Sequence, residues 1–284
     1  MKQEDINNLK QLRKEIFLAA YAGGMGHLAS AYSSLEILYT LYAKDILRYE
    51  KDRFDEDIHD HLVLSKGHAS LALYSVLYQS GFFGKDVLYS FSQPGSILGG
   101  EPERGKIPGI ETSTGSLGHG MSIGEGIALA DKIKKRGTRT YVLIGDGECQ
   151  EGSIWESALS CAGLGLDNII VVLDCNHIQK MGKVSEVIGN ENWKEKWEAF
   201  GWQVDEVDGH DVDELGNCLK KESQRGPRII LAETVKGKGI SLMENNPAWH
   251  WRMPGKRERK VFMEELGIAE EELKYAKGLY NGTI

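Results

Sequence analysis

The sequence predicts an α/β fold in which a doubly wound parallel sheet carries helices on both of its faces. Short runs rich in β-branched residues are bounded by Gly, Asp or Pro, and they are too short to be helices, so we expect them to be strands. Stretches with apolar residues at helical spacing lie between these runs. Strands that alternate with helices along a chain form a parallel sheet that is covered on both sides.

The chain is expected to begin with helices. Leu9, Leu12 and Ile16 recur at helical spacing, and Ser33 with Glu36 predicts a capping box at the start of a second helix. Residues 95–120 are rich in Gly and Ser and lack periodicity, so we expect a long loop that covers or lines a site. The predicted strands are residues 61–65, 140–144, 168–173, 202–207 and 228–235. The predicted helices between them are residues 69–78, 123–133, 153–164 and 212–219.

Composition indicates a folded globular protein. The 284 residues are 41% hydrophobic and 27% charged, without a low-complexity tract, which excludes a disordered or fibrous chain. The formal net charge of −8 disfavours nucleic acid as a partner, because binding to phosphates requires an excess of Lys and Arg. No repeat or linker divides the sequence, so residues 1–284 are expected to form a single domain.

The sequence also predicts a soluble, cytoplasmic protein. Residues 1–11 are polar and lack the basic and apolar regions of an export signal. The longest apolar stretches, such as residues 169–173, are far shorter than the roughly 20 residues that span a membrane. The four cysteines lack zinc-binding spacing and are too sparse for a disulfide scaffold, so we expect reduced thiols at Cys149, Cys161, Cys175 and Cys218.

Oxygen-bearing side chains follow two successive predicted strands. Gly145-Asp146-Gly147-Glu148 follows one strand, and Asp174-Cys175-Asn176 follows the next. Alone, the first run could be a tight turn and the second a helix cap. Together, at ends of strands that meet at one edge of a parallel sheet, they present hard oxygen ligands for Mg²⁺ or Ca²⁺, and the glycines let a diphosphate approach the backbone.

These segments belong to a larger pattern. The whole run from Gly145 to Asn176 resembles the thiamine diphosphate motif, which begins with GDG and closes with an Asn. Further segments match transketolase signatures in order and in spacing, so the chain resembles the transketolase family from about residue 20 to 255. These segments are Gly26-His27-Leu28, residues 65–69 (SKGHA), 108–111 (PGIE), 114–120 (TGSLGHG) and Trp249-His250.

The resemblance implies a thiamine diphosphate-binding fold and a set of cofactor ligands. Asp146, Asn176 and the backbone carbonyl of Ile178 match the ligands of a Mg²⁺ ion, with Ca²⁺ as an alternative, that bridges the two cofactor phosphates. Asn176 is therefore also part of the cofactor-binding set. The matched diphosphate contacts are His68, Gly147 and His250.

The resemblance implies further roles around the reacting part of the cofactor. His27 and His250 match imidazoles that face the substrate hydroxyls and transfer protons. Glu151 matches a buried glutamate that couples two cofactor sites through a dimer interface. The loop that holds the thiazolium matches Gly115, Ser116 and Leu117. The remaining histidines outside the matched motifs are interpreted as ordinary hydrogen-bonded residues: His59, His61, His177 and His210.

Two positions depart from the family pattern. Glu101 in Gly100-Glu101-Pro102 replaces a histidine that contacts the donor sugar, and Ser92 follows Phe91 where an arginine is common. A carboxylate gained and a cationic fork lost would weaken contacts to an anionic or ordinary sugar-phosphate substrate and indicate a different donor or acceptor. The alternative is that Glu101 points away from the substrate.

The pyrimidine-binding and C-terminal domains of the family have no counterpart in this sequence. The resemblance is therefore to the N-terminal subunit of a split transketolase, which a C-terminal subunit carrying the pyrimidine-binding domain completes, in an α2β2 complex that acts on sugars or sugar phosphates. Two alternatives stay open. The alpha chain of a 2-oxo-acid dehydrogenase decarboxylating component would leave residues 65–69, 108–120 and His250 unexplained, and a non-catalytic thiamine diphosphate-fold binding protein is compatible with Glu101 and Ser92.

Overall fold

A parallel sheet forms the centre of the computed structural model, which describes residues 1–51, 58–107, 109–189, 191–223 and 226–280. Five strands pair in parallel, in the spatial order β1-β2-β3-β7-β6, and β4 and β5 form a separate antiparallel ribbon. Their bounds are β1 (His61–Leu64), β2 (Thr140–Gly145), β3 (Ile169–Cys175), β4 (Ile178–Gln179), β5 (Gly182–Lys183), β6 (Gln203–Asp208) and β7 (Arg228–Glu233).

Strand β3 explains how the sheet is covered. All of its residues are buried, and its side chains alternate between two separate cores. Ile170 and Val172 pack into one core, whereas Val171 and Leu173 pack into the other. Because successive side chains of a strand point to opposite faces, a continuous apolar run such as this one requires helices on both faces of the sheet.

The helices supply both layers, which confirms the predicted doubly wound α/β fold. Helices α1, α2, α3, α9, α10 and α11 contribute to the first core, and α5, α6 and α8 contribute to the second. The bounds are α1 (Gln3–Gly23), α2 (Leu28–Ala43), α3 (Ser70–Gln79), α4 (Lys85–Tyr89), α5 (His119–Lys134), α6 (Gly152–Gly163), α7 (Val184–Val187), α8 (Trp193–Ala199), α9 (Val212–Leu219), α10 (Lys256–Leu266) and α11 (Glu270–Tyr280).

The predicted elements are present, with small shifts at their ends. Helix α9 has the predicted bounds, because Asp211 caps it by accepting hydrogen bonds from Asp213 N and Glu214 N. Strand β3 extends two residues past its predicted end, through Asp174 and Cys175. The predicted loop from residue 95 contains no helix or strand in its described part until α5 begins at His119.

The predicted capping box is wrong. Helix α2 begins at Leu28 with His27 at its N-cap, so Ser33 and Glu36 lie inside the helix. The Ser33 hydroxyl donates to the Asp174 carboxylate at 2.7 Å, and Glu36 pairs with Arg13. Both side chains therefore serve tertiary contacts that a local sequence pattern does not reveal.

Two further observations concern the four cysteines and the length and polarity of the helices. All four cysteines are buried and none forms a disulfide. Every helix in the described part of the chain is too short or too polar to cross a lipid bilayer.

Candidate cofactor site

The carboxyl ends of β2 and β3 place the predicted metal ligands at one edge of the sheet. Asp146 directly follows β2 and Asn176 directly follows β3, and both side chains are buried. Asp146 accepts hydrogen bonds from the backbone of Gly147 at 2.7 Å and from the backbone N–H of His177. The two strand ends are therefore connected through the Asp146 carboxylate.

The turn after β3 brings the third predicted ligand to the same place. Asn176 Oδ1 accepts a hydrogen bond from Ile178 N at 3.2 Å, and its Nδ2 donates to Ser33 Oγ at 3.4 Å. His177 has a positive φ of 60°, and its ring nitrogens contact Glu191 at 2.5 Å and Glu233 at 2.8 Å, which anchors the turn. Carboxylate, amide and backbone oxygens of this kind form a ligand set suited to Mg²⁺ or Ca²⁺.

Asp174 lies beside these predicted metal ligands, but its carboxylate binds protein side chains. Its carboxylate accepts hydrogen bonds from Ser33, Ser34 and Thr234 and pairs with the buried Lys66 ammonium group. Burial would raise the pKa of Asp174, but Lys66 and these donors hold it at about 2. Asp174 is thus an ionised anchor with its oxygens already occupied.

The negative charge of Asp174 acts on Asp146. Burial and the neighbouring Asp174 charge raise the pKa of Asp146 to about 6. Lys236 and Lys66 offset only part of this effect, so a cation bound beside Asp146 would further stabilise its ionised form. This observation fits the divalent metal that the sequence predicts at Asp146.

Three histidines from separate segments form a cluster at the same edge of the sheet. The ring centroids of His27 and His68 are 5.2 Å apart, those of His27 and His250 are 5.4 Å apart, and those of His68 and His250 are 5.7 Å apart. The Trp251 ring stacks on His27 at 5.9 Å. The structure therefore brings together all three histidines that the motifs singled out.

The imidazoles in this cluster are neutral near pH 7. Burial and then the charge of Lys236 lower the pKa of His27 to about 4 and that of His250 to about 3. Burial and then the charge of Lys66 also lower the pKa of His68 well below its ordinary value. A neutral imidazole can donate from one ring nitrogen and accept at the other.

The structure adds two buried lysines that the sequence interpretation left without a role. Lys66 precedes His68 in the chain, and Lys236 lies three residues after the end of β7. The Lys236 ammonium donates to the Ile178 carbonyl at 2.6 Å and to His250 Nδ1 at 3.1 Å. Burial and the nearby Lys66 charge lower the pKa of Lys236 to about 8. A signal for Lys236 was present, because a residue just after a parallel strand lies at the ligand-binding edge.

The surroundings also fit an anionic group with its metal. Ser30 Oγ is buried and has no hydrogen-bond partner in the described part of the chain. A Cβ atom on Gly67 would lie 2.8 Å from Gly115 N, so only glycine permits this close backbone approach. Together with the two lysines and the histidine cluster, these features provide donors for a diphosphate beside the oxygen ligands.

The predicted thiazolium loop, Gly115, Ser116 and Leu117, is held between strand ends. Thr114 donates from its hydroxyl to the Leu64 carbonyl at 2.7 Å, and Gly118 N donates to the buried Glu148 carboxylate at 2.8 Å. Gly147 N lies in the turn after β2, where Asp146 accepts its hydrogen bond. The loop is thus fixed on both sides by contacts to β1 and to the turn after β2.

Glu101 and Ser92, the two positions that depart from the family pattern, have different surroundings. A Cβ on Gly115 would lie 2.8 Å from Cδ of Glu101, so the exposed Glu101 carboxylate is next to the predicted thiazolium loop. Ser92 donates to the Met25 sulfur at 2.9 Å and has a positive φ of 56°. Pro108 lies outside the described residues.

Glu151 occupies a different environment from that of the other predicted residues. It is the N-cap of α6, makes no capping hydrogen bond with its side chain, and is exposed in the single chain. The burial that the resemblance implies would require a second chain to cover it. The four histidines outside the motifs do contact polar groups, as predicted: His59, His61, His177 and His210.

Comparisons with known proteins identify the family to which this chain is similar. A family model described as "Transketolase, thiamine diphosphate binding domain" matches residues 2–282. The chain is 37% identical over 263 residues to a subunit of the apulose-4-phosphate transketolase from Phocaeicola vulgatus, covering 92% of this chain and 93% of that protein. It is 38% identical over 229 residues to a 6-deoxy-6-sulfo-D-fructose transketolase subunit from a Clostridium species, covering 80% of this chain and 83% of that one.

Solved structures show the same relationship. The chain superposes on the transketolase of Campylobacter jejuni with a TM-score of 0.82 at 28% identity. The superposition covers 100% of this chain and 47% of the solved chain, so this chain spans under half of that protein's length. The matches favour the transketolase family over the 2-oxo-acid dehydrogenase alternative. This chain belongs to the transketolase family, in which it corresponds to the thiamine diphosphate binding domain.

Proposed function

We propose that this chain is the N-terminal subunit of a split transketolase that transfers a two-carbon ketol unit from a ketose or ketose phosphate to an aldose acceptor. The observation that carries the proposal is the meeting of His27, His68 and His250 at the sheet edge that also holds Asp146 and Asn176. The names of two relatives as transketolase subunits, matched over most of their length, support the split arrangement.

In this proposal, Asp146, Asn176 and the Ile178 carbonyl hold Mg²⁺, with Ca²⁺ as an alternative. Thiamine diphosphate, when bound, supplies the electron sink for breaking and forming the carbon–carbon bond. Its diphosphate is held by His68, Gly147 and His250, to which we add Lys236. The loop of Gly115, Ser116 and Leu117 would support its thiazolium ring.

The tautomer of His250 follows from its contact with Lys236. Nδ1 of His250 accepts from the Lys236 ammonium, so the proton of the neutral ring is on Nε2. Nε2 can therefore donate to a phosphate or hydroxyl oxygen in the site. His27, the neutral neighbour at 5.4 Å between centroids, provides a second imidazole that can hold or move a proton at a substrate hydroxyl.

The proposal includes a C-terminal subunit that carries the pyrimidine-binding domain, in an α2β2 complex. Helices α5 and α6 pack on each other and expose large apolar side chains, including Ile123 (39% exposed) and Leu159 (65% exposed), and Glu151 lies at the start of α6. We propose that another chain covers this surface and thereby buries Glu151. An obligate interface of this kind buries more than about 2,000 Å².

The proposal also names the chemical class of the donor substrate. The relatives are named for apulose-4-phosphate and for 6-deoxy-6-sulfo-D-fructose, and by analogy we propose a ketose other than the common sugar phosphates as the donor. Glu101, next to Gly115, is our candidate for the residue that sets donor preference together with His27. We also propose one domain over residues 1–284 and a reducing, cytoplasmic location, which the four buried thiols support.

The test is reconstitution with a C-terminal subunit that carries the pyrimidine-binding domain of a transketolase. We expect no ketol transfer by either chain alone and turnover by the mixture with thiamine diphosphate and Mg²⁺. The matched control is Asp146→Ala, which should assemble with the partner but fail to turn over. Turnover by the isolated chain would refute the split-subunit proposal. An assembled, cofactor-loaded complex without activity towards any ketose would favour the non-catalytic alternative.

A further inference from the structure

A second polar cluster lies at the amino ends of the strands, whereas the candidate cofactor site lies at their carboxyl ends. His61 is the first residue of β1 and lies opposite Thr140, the first residue of β2, so it marks the amino ends of the strands. His59 lies two residues earlier, and Glu111 comes from the loop that leads to α5. One ligand atom from each of these three side chains lies within 4.8 Å of the other two.

The three ligand atoms of this cluster are close enough to one another to share one metal ion. Glu111 Oε2 faces both imidazoles: His59 Nε2 lies 3.3 Å away, and His61 Nδ1 is in close contact. Tetrahedral Zn²⁺ with bonds of about 2.0 to 2.1 Å separates its ligand atoms by about 3.3 Å. The contact between His59 and Glu111 has this length, whereas the side chains of His61 and Glu111 must move apart to admit the ion. All three side chains are partly exposed, between 11% and 14%, so an ion can reach them from solvent.

The outer contacts orient the cluster. His61 Nε2 contacts Asp131 Oδ2 at 2.9 Å, and the other Glu111 oxygen accepts from Leu62 N at 3.0 Å. Metal-binding histidines commonly donate their second ring N–H to a carboxylate in this way.

A proton could bridge one of these contacts, but a metal ion satisfies all three ligand atoms at once. We propose that His59 Nε2, His61 Nδ1 and Glu111 Oε2 bind one Zn²⁺ ion and that Asp131 positions His61. Two imidazoles and one carboxylate form a ligand set that zinc accepts, with a fourth position left for water or another donor.

The ion would connect the edge strand to the loop beside the candidate cofactor site. β1 is the outermost strand on one side of the described sheet, and Glu111 precedes Gly115 by four residues. Between them, Thr114 donates to the Leu64 carbonyl at 2.7 Å. Bound zinc would therefore join the amino end of β1 to residues 111–114, and its role is to hold this segment in place.

The experiment measures Zn²⁺ binding by the full chain after treatment with a chelator. Calorimetry is carried out with excess Mg²⁺, which occupies the Asp146 region. We expect one equivalent of Zn²⁺ to bind and to raise the melting temperature. His59→Asn and Glu111→Gln should each weaken binding by at least about tenfold, and Asp131→Asn by about 10- to 100-fold. Substitution with Co²⁺ should give the visible spectrum of a tetrahedral site in the wild type and lose it in His59→Asn.

Two controls separate this site from other sources of zinc binding. His119→Asn removes an exposed imidazole at the start of α5, and Asp146→Ala removes the main ligand at the other edge of the sheet. Both variants should keep the bound Zn²⁺. Absence of stoichiometric zinc binding in the wild type, or unchanged affinity in His59→Asn, would overturn the proposal. If Glu111→Gln does not fold, these two results and the Asp146→Ala control still decide the question.

Discussion

The Lys236 ammonium group lies 3.1 Å from Nδ1 of His250 and 2.6 Å from the carbonyl of Ile178, so one buried cation joins the histidine cluster to the predicted metal ligands. Its pKa is lowered to about 8 by burial and by the charge of Lys66. A buried cation whose charge is not fully compensated favours an anionic ligand. This relationship supports a diphosphate at this position.

The first prediction concerns Lys236. Lys236→Met in the assembled complex should weaken thiamine diphosphate binding by at least about tenfold, because a charge-assisted contact to phosphate is lost. Wild-type affinity should also fall as the pH rises through about 8, since the deprotonated lysine must first take up a proton. Calorimetry between pH 7 and 9 checks both effects. Lys238→Met, two residues away, should bind normally, and a pH dependence that persists in Lys236→Met would contradict the assignment.

The second prediction concerns the metal ligands. Asp146→Ala or Asn176→Ala should weaken thiamine diphosphate binding in the presence of Mg²⁺ by at least about an order of magnitude, because the charge of the diphosphate is then poorly neutralised. Both variants should keep the fold, as judged by circular dichroism. Omitting Mg²⁺ should weaken the wild type to a similar extent. The metal assignment fails if both variants bind the cofactor as the wild type does.

The third prediction concerns Glu101. A carboxylate can only accept hydrogen bonds, whereas an imidazole can donate one, so a contact between Glu101 and the donor sugar would have the reverse polarity. Glu101→His in the reconstituted complex should shift the ratio of kcat/KM toward a common ketose phosphate, relative to an unphosphorylated ketose, by about tenfold. Glu103→His, on the same loop, is the control. A ratio that does not move means that Glu101 has no part in donor selection.

The fourth prediction concerns stability against pH. Burial, and then Lys236, lower the pKa of His27 to about 4, whereas an unfolded histidine titrates near about 6.5. The unfolded chain therefore binds more protons between these values, and the free energy of unfolding falls as the pH is lowered from about 6.5 to 5. His27→Asn should reduce this slope by about 1 kcal/mol per pH unit at most. Urea unfolding at several pH values measures it, with His119→Asn as the control, and parallel slopes for His27→Asn and wild type would contradict the prediction.

Much of the fold was predictable because its signals are local. The buried run of β3 and the capped helix α9 carry their periodicity and end signals in neighbouring residues. The failed capping box at Ser33 shows the limit of such signals. Its hydroxyl bonds to Asp174, 141 residues away in the chain, and only the packing of α2 on the sheet creates that contact.

The site was predictable where motifs specify it and less so elsewhere. His27, His68 and His250 lie within matched segments, and the structure brings them together. Lys66 and Lys236 were given no role, because a lysine is usually exposed and only the fold reveals that these two are buried next to carboxylates and imidazoles. The cluster of His59, His61 and Glu111 was missed for a related reason, because Glu111 lies 50 residues after His61 and the two histidines alone match no zinc-binding spacing.

The most direct test of the central claim follows the two carbons themselves. A ketose phosphate labelled with ¹³C at C1 and C2 is incubated with an aldose acceptor, thiamine diphosphate and Mg²⁺, using this chain and its C-terminal subunit together and each alone. We predict that only the mixture forms a new ketose in which both labels remain bonded to one another, and that Asp146→Ala abolishes its formation. A new ketose without the paired labels, or paired transfer by this chain alone, would contradict the account.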